Sequence, residues 1–164
     1  MVLRSPAGLL RRFRDQARGA IAVEAALVLP VLVMLLVGAF DFGMAFVESL
    51  RLSAAARAGT QQALYDPRAW QDATLMELTA LSEYTGTAVT SADRSALSVT
   101  AQSRAFCGCA DGTEVLCTST CAGGETPVQY VEVTVTDDVT FTIDWPFVSG
   151  RTLQLARDSV VRVR

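Results

Sequence analysis

The sequence contains no histidine and no lysine, and the missing histidine removes a class of function. Acid–base catalysis by histidine and metal sites with histidine ligands are both excluded. All 14 cationic side chains are arginines. The sequence also lacks a G-x-S-x-G motif, a P-loop and a dinucleotide-binding motif. We therefore expect a protein that is not an enzyme and that needs neither a cofactor nor a metal.

Charge is unevenly distributed along the 164 residues. Five arginines and one aspartate give residues 1–19 a net charge of +4, and the whole chain is −3, so residues 20–164 carry −7. An acidic body argues against nucleic-acid binding, which depends on neutralising phosphates. A basic stretch before an apolar segment keeps the N-terminus in the cytoplasm. We expect the acidic body to lie on the far side of the membrane.

A long apolar segment, RGAIAVEAALVLPVLVMLLVGAF, covers residues 18–40. As a helix, residues 20–40 would extend ~31 Å, about the thickness of one hydrocarbon core. Their twelve Leu, Ile, Val and Phe residues contribute roughly −5 kcal/mol to insertion, against about +3 kcal/mol for a central acid. The sequence therefore predicts a single pass through the inner membrane. Glu24 is costly there and indicates a function.

Two other interpretations of the segment are weaker. A secretory signal peptide would be cleaved on the far side of its apolar region, and Gly38-Ala39 could serve as such a site. The segment is long for that role and continues into more helical sequence. Its length and its arginine-rich flank also disfavour a soluble core helix.

The rest of the chain predicts an α+β head. One helix is expected from about Ala20 to Leu64, because Pro67 disfavours helix at Asp66. Its apolar stripe is predicted to consist of Phe42, Phe46, Leu50, Ala54 and Ala58. Asp66 and Pro67 would start a second helix, which Gly86 would stop. Its predicted face is formed by Trp70, Thr74, Leu78 and Leu81.

From Thr87 onward the apolar residues recur every second position, which predicts an antiparallel sheet packed against a helix. The predicted strand positions are Leu97, Val99, Ala101; Val131, Val133, Val135; Val139, Phe141, Ile143, Trp145; and Leu153, Leu155, Val161, Val163. Asp137-Asp138 is interpreted as a bulge, bend or solvated turn within the second strand.

Four cysteines form a cluster between two predicted strands: Cys107, Cys109, Cys117 and Cys121. In an oxidising periplasm we expect two disulfides. Three pairings are open, and a nested hairpin would favour Cys109 with Cys117 and Cys107 with Cys121. Four thiolates around zinc are the alternative, which the unusual C-x-C spacing disfavours.

Two motifs resemble a known family. Gly19 followed by AIAVE resembles the processing site of type IV prepilins, in which a glycine precedes the scissile bond and a glutamate is the fifth residue after it. The run AVEAALVLPVLVMLLVGAFDFG resembles the membrane segment of TadE-like minor pseudopilins of tight-adherence (Tad, or Flp) pili. LRLSAAARAGTQQA and the cysteine-bearing region resemble the remainder of such proteins. The chain departs from related pilins at Ala25 and Ala20, where aromatic residues are common, and N-terminal methylation stays open.

The resemblance implies a division into a cleaved leader (1–19), a transmembrane and assembly helix (20–64) and a periplasmic α+β head (65–164). A prepilin peptidase would cut between Gly19 and Ala20, and Glu24 would pair with the new α-amino group of its own chain or of a neighbour. The implied partners are this peptidase, other Tad pilins and minor pseudopilins, and the pilus assembly platform. In the alternative, the leader stays uncut, Glu24 only reaches towards the membrane interface, and the disulfide-containing head is an anchored binding module.

Overall fold

The computed structural model describes residues 6–65, 72–145 and 150–163, with side chains described from residue 21 onward. The chain divides into two compact units, Met1–Gly43 and Met44–Arg164. The first is entirely helical where it is described. The second is the α+β head together with the last part of the long helix.

Helix α1 spans Pro6–Tyr65 and is 60 residues long. Its predicted end near Leu64 is confirmed, but its predicted start at Ala20 is wrong because residues 6–19 belong to the same helix. Pro6 suits the first helical position, where no backbone N–H is required, and the leader is rich in Ala, Leu and Arg, which are good helix formers. Proteolytic cleavage would therefore have to act on a segment whose own preference is helical.

The apolar part of α1 leaves most of its side chains exposed. The exposed large side chains between residues 21 and 36 are Ile21, Val23, Leu27, Val28, Leu29, Val31, Leu32, Val33, Met34, Leu35 and Leu36. The candidate span lies within Ile21–Tyr65, which is long and apolar enough to cross a membrane by its length and composition. A helix that is apolar on all sides is typical of a membrane span or of a buried core, and here it is not buried within the chain.

Helix α2 spans Ala73–Thr85. Asp72 caps it, since its carboxylate accepts hydrogen bonds from the backbone N–H groups of Thr74 at 3.1 Å and Leu75 at 3.3 Å. Asp66 and Pro67, the predicted start of this helix, lie outside the described residues, as does Trp70. The predicted stop at Gly86 is confirmed, with a left-handed backbone (φ 70°) that favours glycine.

Within the described residues, one sheet is formed by four antiparallel strands: β1 (Thr100–Gly108), β2 (Glu114–Val115), β3 (Val128–Thr140) and β4 (Thr152–Arg162). Their order is β2-β1-β3-β4, which confirms the predicted α+β class. The predicted interruption at Asp137-Asp138 is wrong, because these residues pair in unbroken register with Leu155 and Gln154. The pleat turns Asp137 towards the core and Asp138 towards solvent, so two acidic residues fit one continuous strand.

The core of the head lies between the sheet and the two helices. It consists of Leu52, Ala55, Ala56, Ala63, Met76, Ala80, Leu81, Val99, Ala101, Val131, Val133 and Val135. The predicted stripe on α1 is therefore wrong in phase, since Phe46 and Leu50 are 65% and 55% exposed. Of the predicted α2 face, Leu81 is buried, Leu78 is half-buried and Thr74 is exposed. The other buried residues of α2 are Met76, Glu77 and Ala80. Small residues at the buried positions of α1 allow the helix to approach the sheet closely, which hydropathy alone does not indicate.

Gly59 is the tightest point of this packing. A Cβ atom placed there would lie 3.0 Å from the Met76 carbonyl oxygen, 3.0 Å from Cγ1 of Val133 and 3.1 Å from Cβ of Ala80. The backbone of α1 thus contacts both α2 and β3 at a position where an added side chain would press on both elements.

Candidate functional site

The predicted processing and assembly residues lie on α1. Gly19 and Ala20 are inside the helix, and the Glu24 side chain is exposed. Four residues of helix rise about 6 Å, so Ala20 and Glu24 are neighbours on one side of it. A carboxylate one turn from a new N-terminus is suitably placed to pair with an amine, although cleavage itself stays a prediction.

All four cysteines form disulfides, but the predicted nested pairing is wrong. Cys107 is bonded to Cys117 and Cys109 to Cys121, with Cα–Cα distances of 5.1 and 5.7 Å. The sheet explains the interleaved pairing. Cys107 lies within β1 and pairs with Val115 of β2, so the chain brings Cys117 back beside it. Cys109, beyond the end of β1, is then left for Cys121. No thiolate remains for zinc.

The outer face of the sheet beside this loop carries an ion-pair cluster around Arg104. Its guanidinium contacts Glu132, lies 3.0 Å from the Glu114 carboxylate and covers the ring of Phe106 at 4.7 Å. Hydrogen bonds to Glu114 and Glu132 raise the pKa of Arg104. Arg104 and Glu114 are solvent-exposed, whereas Glu132 is half-buried. The exposed Arg104–Glu114 pair therefore positions side chains more than it stabilises the fold.

Tyr84 brings two acidic residues together on the inner side of the sheet. Its hydroxyl donates a hydrogen bond to Oδ2 of Asp137, which is 9% exposed. Burial, followed by interactions with Asp137 and Glu48, raises the pKa of Tyr84 far above its ordinary value. Oδ1 of Asp137 and Oε1 of Glu48 are buried without a hydrogen-bond partner among the described residues. The Tyr84 hydroxyl is therefore an important hydrogen-bond donor to the Asp137 carboxylate.

We expect Tyr84→Phe to destabilise the head by about 1–3 kcal/mol, because Asp137 loses its hydroxyl donor in a buried setting. Thermal unfolding of the detergent-solubilised chain would measure this. The matched control is Tyr65→Phe, which removes the hydroxyl of a tyrosine that is 85% exposed. It should leave the midpoint of thermal unfolding unchanged at neutral pH.

The same tyrosine predicts a pH dependence. Because the pKa of Tyr84 is raised on folding, this shift stabilises the folded head. Its contribution to the free energy of unfolding is complete below the unfolded pKa of 10.0 and is lost progressively as the pH rises above it. Unfolding midpoints measured between pH 9 and pH 11 should fall more steeply in the parent than in Tyr84→Phe. Equal slopes would contradict the proposed folded-state shift.

Comparison with known proteins concerns the N-terminal part of the chain. Residues 19–61 match the model of the TadE-like protein family. The predicted family is thereby confirmed over the segment that carries Gly19, Ala20 and Glu24. No curated protein and no solved structure matched the chain.

The TadE-like segment includes the candidate span and most of the part of α1 that packs in the head, whereas the sheet and disulfides lie outside the match. Sequence reasoning identified the cysteines but missed the Tyr84 cluster. Its only sequence signal was Asp137, a carboxylate at an inward-facing position of an alternating strand. Finding Tyr84 and Glu48 required knowing how the two helices dock.

Proposed function

We propose that this chain is a minor pseudopilin that helps to initiate or support assembly of a Tad pilus. The observation that carries the proposal is the family match, which begins at Gly19 and includes Glu24. The exposed apolar helix supports it, because such a helix suits a bilayer before assembly and contacts between subunits afterwards. In this proposal, the head remains folded throughout and the helix changes its surroundings.

The proposed processing step is cleavage between Gly19 and Ala20 by a membrane-embedded prepilin peptidase. Glycine lacks a side chain and so allows close approach of the scissile backbone to a protease. Cleavage removes five arginines and one aspartate and creates an α-amino group one turn from Glu24. The same step would therefore remove the cytoplasmic positive charge and create a cationic partner for the Glu24 carboxylate.

We further propose that the protein is a structural subunit of the inner membrane rather than an enzyme. Its N-terminus would be cytoplasmic and its head periplasmic, as the +4 leader favours. The two disulfides agree with an oxidising compartment. Its partners would be the peptidase, other Tad pilins and minor pseudopilins, and the assembly platform.

The decisive test is the intact mass of the protein extracted from membranes of cells with an active prepilin peptidase. The expected species begins at Ala20 and is four hydrogens lighter than the reduced chain, owing to two disulfides. A chain that retains Met1 would overturn the pilin proposal and favour an anchored envelope binding module. Reduction before measurement separates the disulfide contribution from any methylation.

Glu24→Ala should leave cleavage intact and impair assembly. The new amine would lose its carboxylate partner in a setting of low dielectric, where leaving one member of an ion pair alone is costly. We expect recovery with the pilus fraction to fall about tenfold, which corresponds to about 1.4 kcal/mol. Glu83→Ala, at an exposed position on α2, is the control. Unchanged recovery in Glu24→Ala would mean that this acid has no assembly role.

A further inference from the structure

Two carboxylates from different elements meet at one hydroxyl group inside the head. Asp137 lies on β3, Glu48 on α1 and Tyr84 on α2. The Tyr84 hydroxyl donates a hydrogen bond to Oδ2 of Asp137 and also interacts with the carboxylate of Glu48. All three residues belong to the head unit, which begins at Met44. The fold thus places two negative charges within reach of a single oxygen atom.

Each carboxylate has one oxygen with a partner and one buried oxygen without a partner. Oδ2 of Asp137 accepts the Tyr84 hydrogen bond, and Oε2 of Glu48 lies 3.7 Å from Nη1 of Arg51. The other two oxygens, Oδ1 of Asp137 and Oε1 of Glu48, are buried and accept no hydrogen bond from the described residues. Asp137 as a whole is only 9% exposed. Buried carboxylate oxygens in proteins are normally hydrogen-bonded or bound to a metal ion, so these two oxygens indicate a ligand.

The arginines near this pair do not neutralise it. The Arg51 side chain is 65% exposed, and its contact with Glu48 is long, so water screens the attraction. Arg157 donates its Nε–H to the hydroxyl of Ser49 at 2.9 Å. Within the described part of the chain, no arginine forms a salt bridge with Asp137. The two carboxylates therefore form a partly buried site of net negative charge, which is costly unless a cation joins it.

We propose that Oδ1 of Asp137 and Oε1 of Glu48 bind a calcium ion between β3 and α1. Calcium is a hard cation that takes carboxylate oxygens together with water and backbone carbonyls in a flexible geometry. Two carboxylates supply the two negative charges that balance a divalent ion. Magnesium suits the site less, because it requires a near-octahedral shell and gives up water reluctantly. The Tyr84 hydrogen bond uses Oδ2 and stays in place when calcium binds.

Calcium at this site was not expected from the sequence. The absence of histidine excludes histidine ligands, and the disulfides use all four thiols, whereas calcium requires only oxygen ligands. Glu48 and Asp137 lie on separate elements and belong to no local calcium-binding motif. Only the docking of α1 on the sheet brings them together.

The bound ion would join α1 to the sheet near the start of the head unit, where Glu48 lies. Calcium would thus favour docking of this part of the long helix on β3. With two protein carboxylates, we expect an affinity like that of extracellular calcium modules, with a Kd of roughly 10⁻⁴–10⁻³ M. Calcium binding goes beyond the proposed pilin function and does not depend on cleavage after Gly19, so either can fail without the other.

The first test measures calcium binding to the full chain in detergent, by equilibrium dialysis with radioactive calcium. Asp137→Asn and Glu48→Gln should each weaken binding by about tenfold or more, because each removes one of two charged ligands. Asp138→Asn changes the next residue of the same strand, which is exposed, and should bind calcium as the parent does. Absence of binding by the parent, or parent-like binding by Asp137→Asn and Glu48→Gln, would overturn the proposal.

Thermal unfolding of the same proteins provides a second measurement, in which calcium should reverse the order of stability. With a chelator, Asp137→Asn should unfold at or above the parent midpoint, because the amide removes a buried charge and can donate to Glu48. Calcium at about ten times its Kd should raise the parent midpoint by about 4 °C and leave that of Asp137→Asn unchanged. A difference between the two that is the same with and without calcium would assign Asp137 a purely structural role. A rise that sodium chloride of equal ionic strength reproduces would be charge screening, and either result contradicts a calcium site.

Discussion

Gly19→Arg should abolish production of the mature chain. The substitution places a long charged side chain beside the scissile bond, where the peptidase is expected to approach the backbone closely. Intact mass and N-terminal sequencing of membrane extracts should then find only the chain that begins at Met1. The uncut chain should still insert, since the apolar segment that drives insertion is unchanged.

The matched control for this experiment is Gly8→Arg. It makes the same substitution in the same basic leader, away from the proposed bond, and it should leave cleavage at Ala20 unaffected. If both variants yield a chain that begins at Ala20, glycine at position 19 is not required for cleavage. If both fail, the added charge in the leader, rather than the glycine at the bond, explains the loss.

Features that repeat along the chain were predictable from sequence. The apolar segment predicted α1, and alternation from Thr87 onward predicted an antiparallel sheet, because these periods follow directly from helix and strand geometry. The helix stop at Gly86 was likewise predictable, since a left-handed residue there favours glycine. The four cysteines predicted two disulfides through the chemistry of the inferred compartment.

What the sequence did not predict depends on packing between distant segments. The interleaved disulfides follow from the pairing of Cys107 with Val115. Val115 belongs to β2, a strand of two residues that is too short to give a periodic signal. The buried face of α1 was assigned to Phe46 and Leu50 because hydropathy ranks large residues first. The fold instead buries alanines and a glycine, since small side chains bring the helix backbone close to α2 and β3. The hydrogen bond from the Ser103 N–H to Glu77 joins residues 26 positions apart and has no local signal.

Gly59→Leu should unfold the head or destabilise it by on the order of 3 kcal/mol or more. Two of the atoms that a new side chain would meet are the Met76 carbonyl oxygen and Cγ1 of Val133, both at 3.0 Å, and a backbone carbonyl cannot rotate away as a flexible side chain can. Overpacking of this kind commonly costs about 1–3 kcal/mol for added methylenes, and a leucine adds four carbons at a helix contact. The gain in helix propensity, about 1 kcal/mol, is smaller and does not offset it.

Gly43→Leu is the control for this prediction, because a Cβ atom at Gly43 has no neighbour within 4 Å and the residue belongs to the same helix. Thermal unfolding followed by near-ultraviolet circular dichroism would compare both variants with the parent. Gly43→Leu should retain the parent midpoint or exceed it, since leucine is the better helix former. A parent-like unfolding midpoint for Gly59→Leu would show that α1 packs less closely on α2 and β3 than the structure indicates. The position of Glu48 beside Tyr84, which depends on this packing, would then have to be revised.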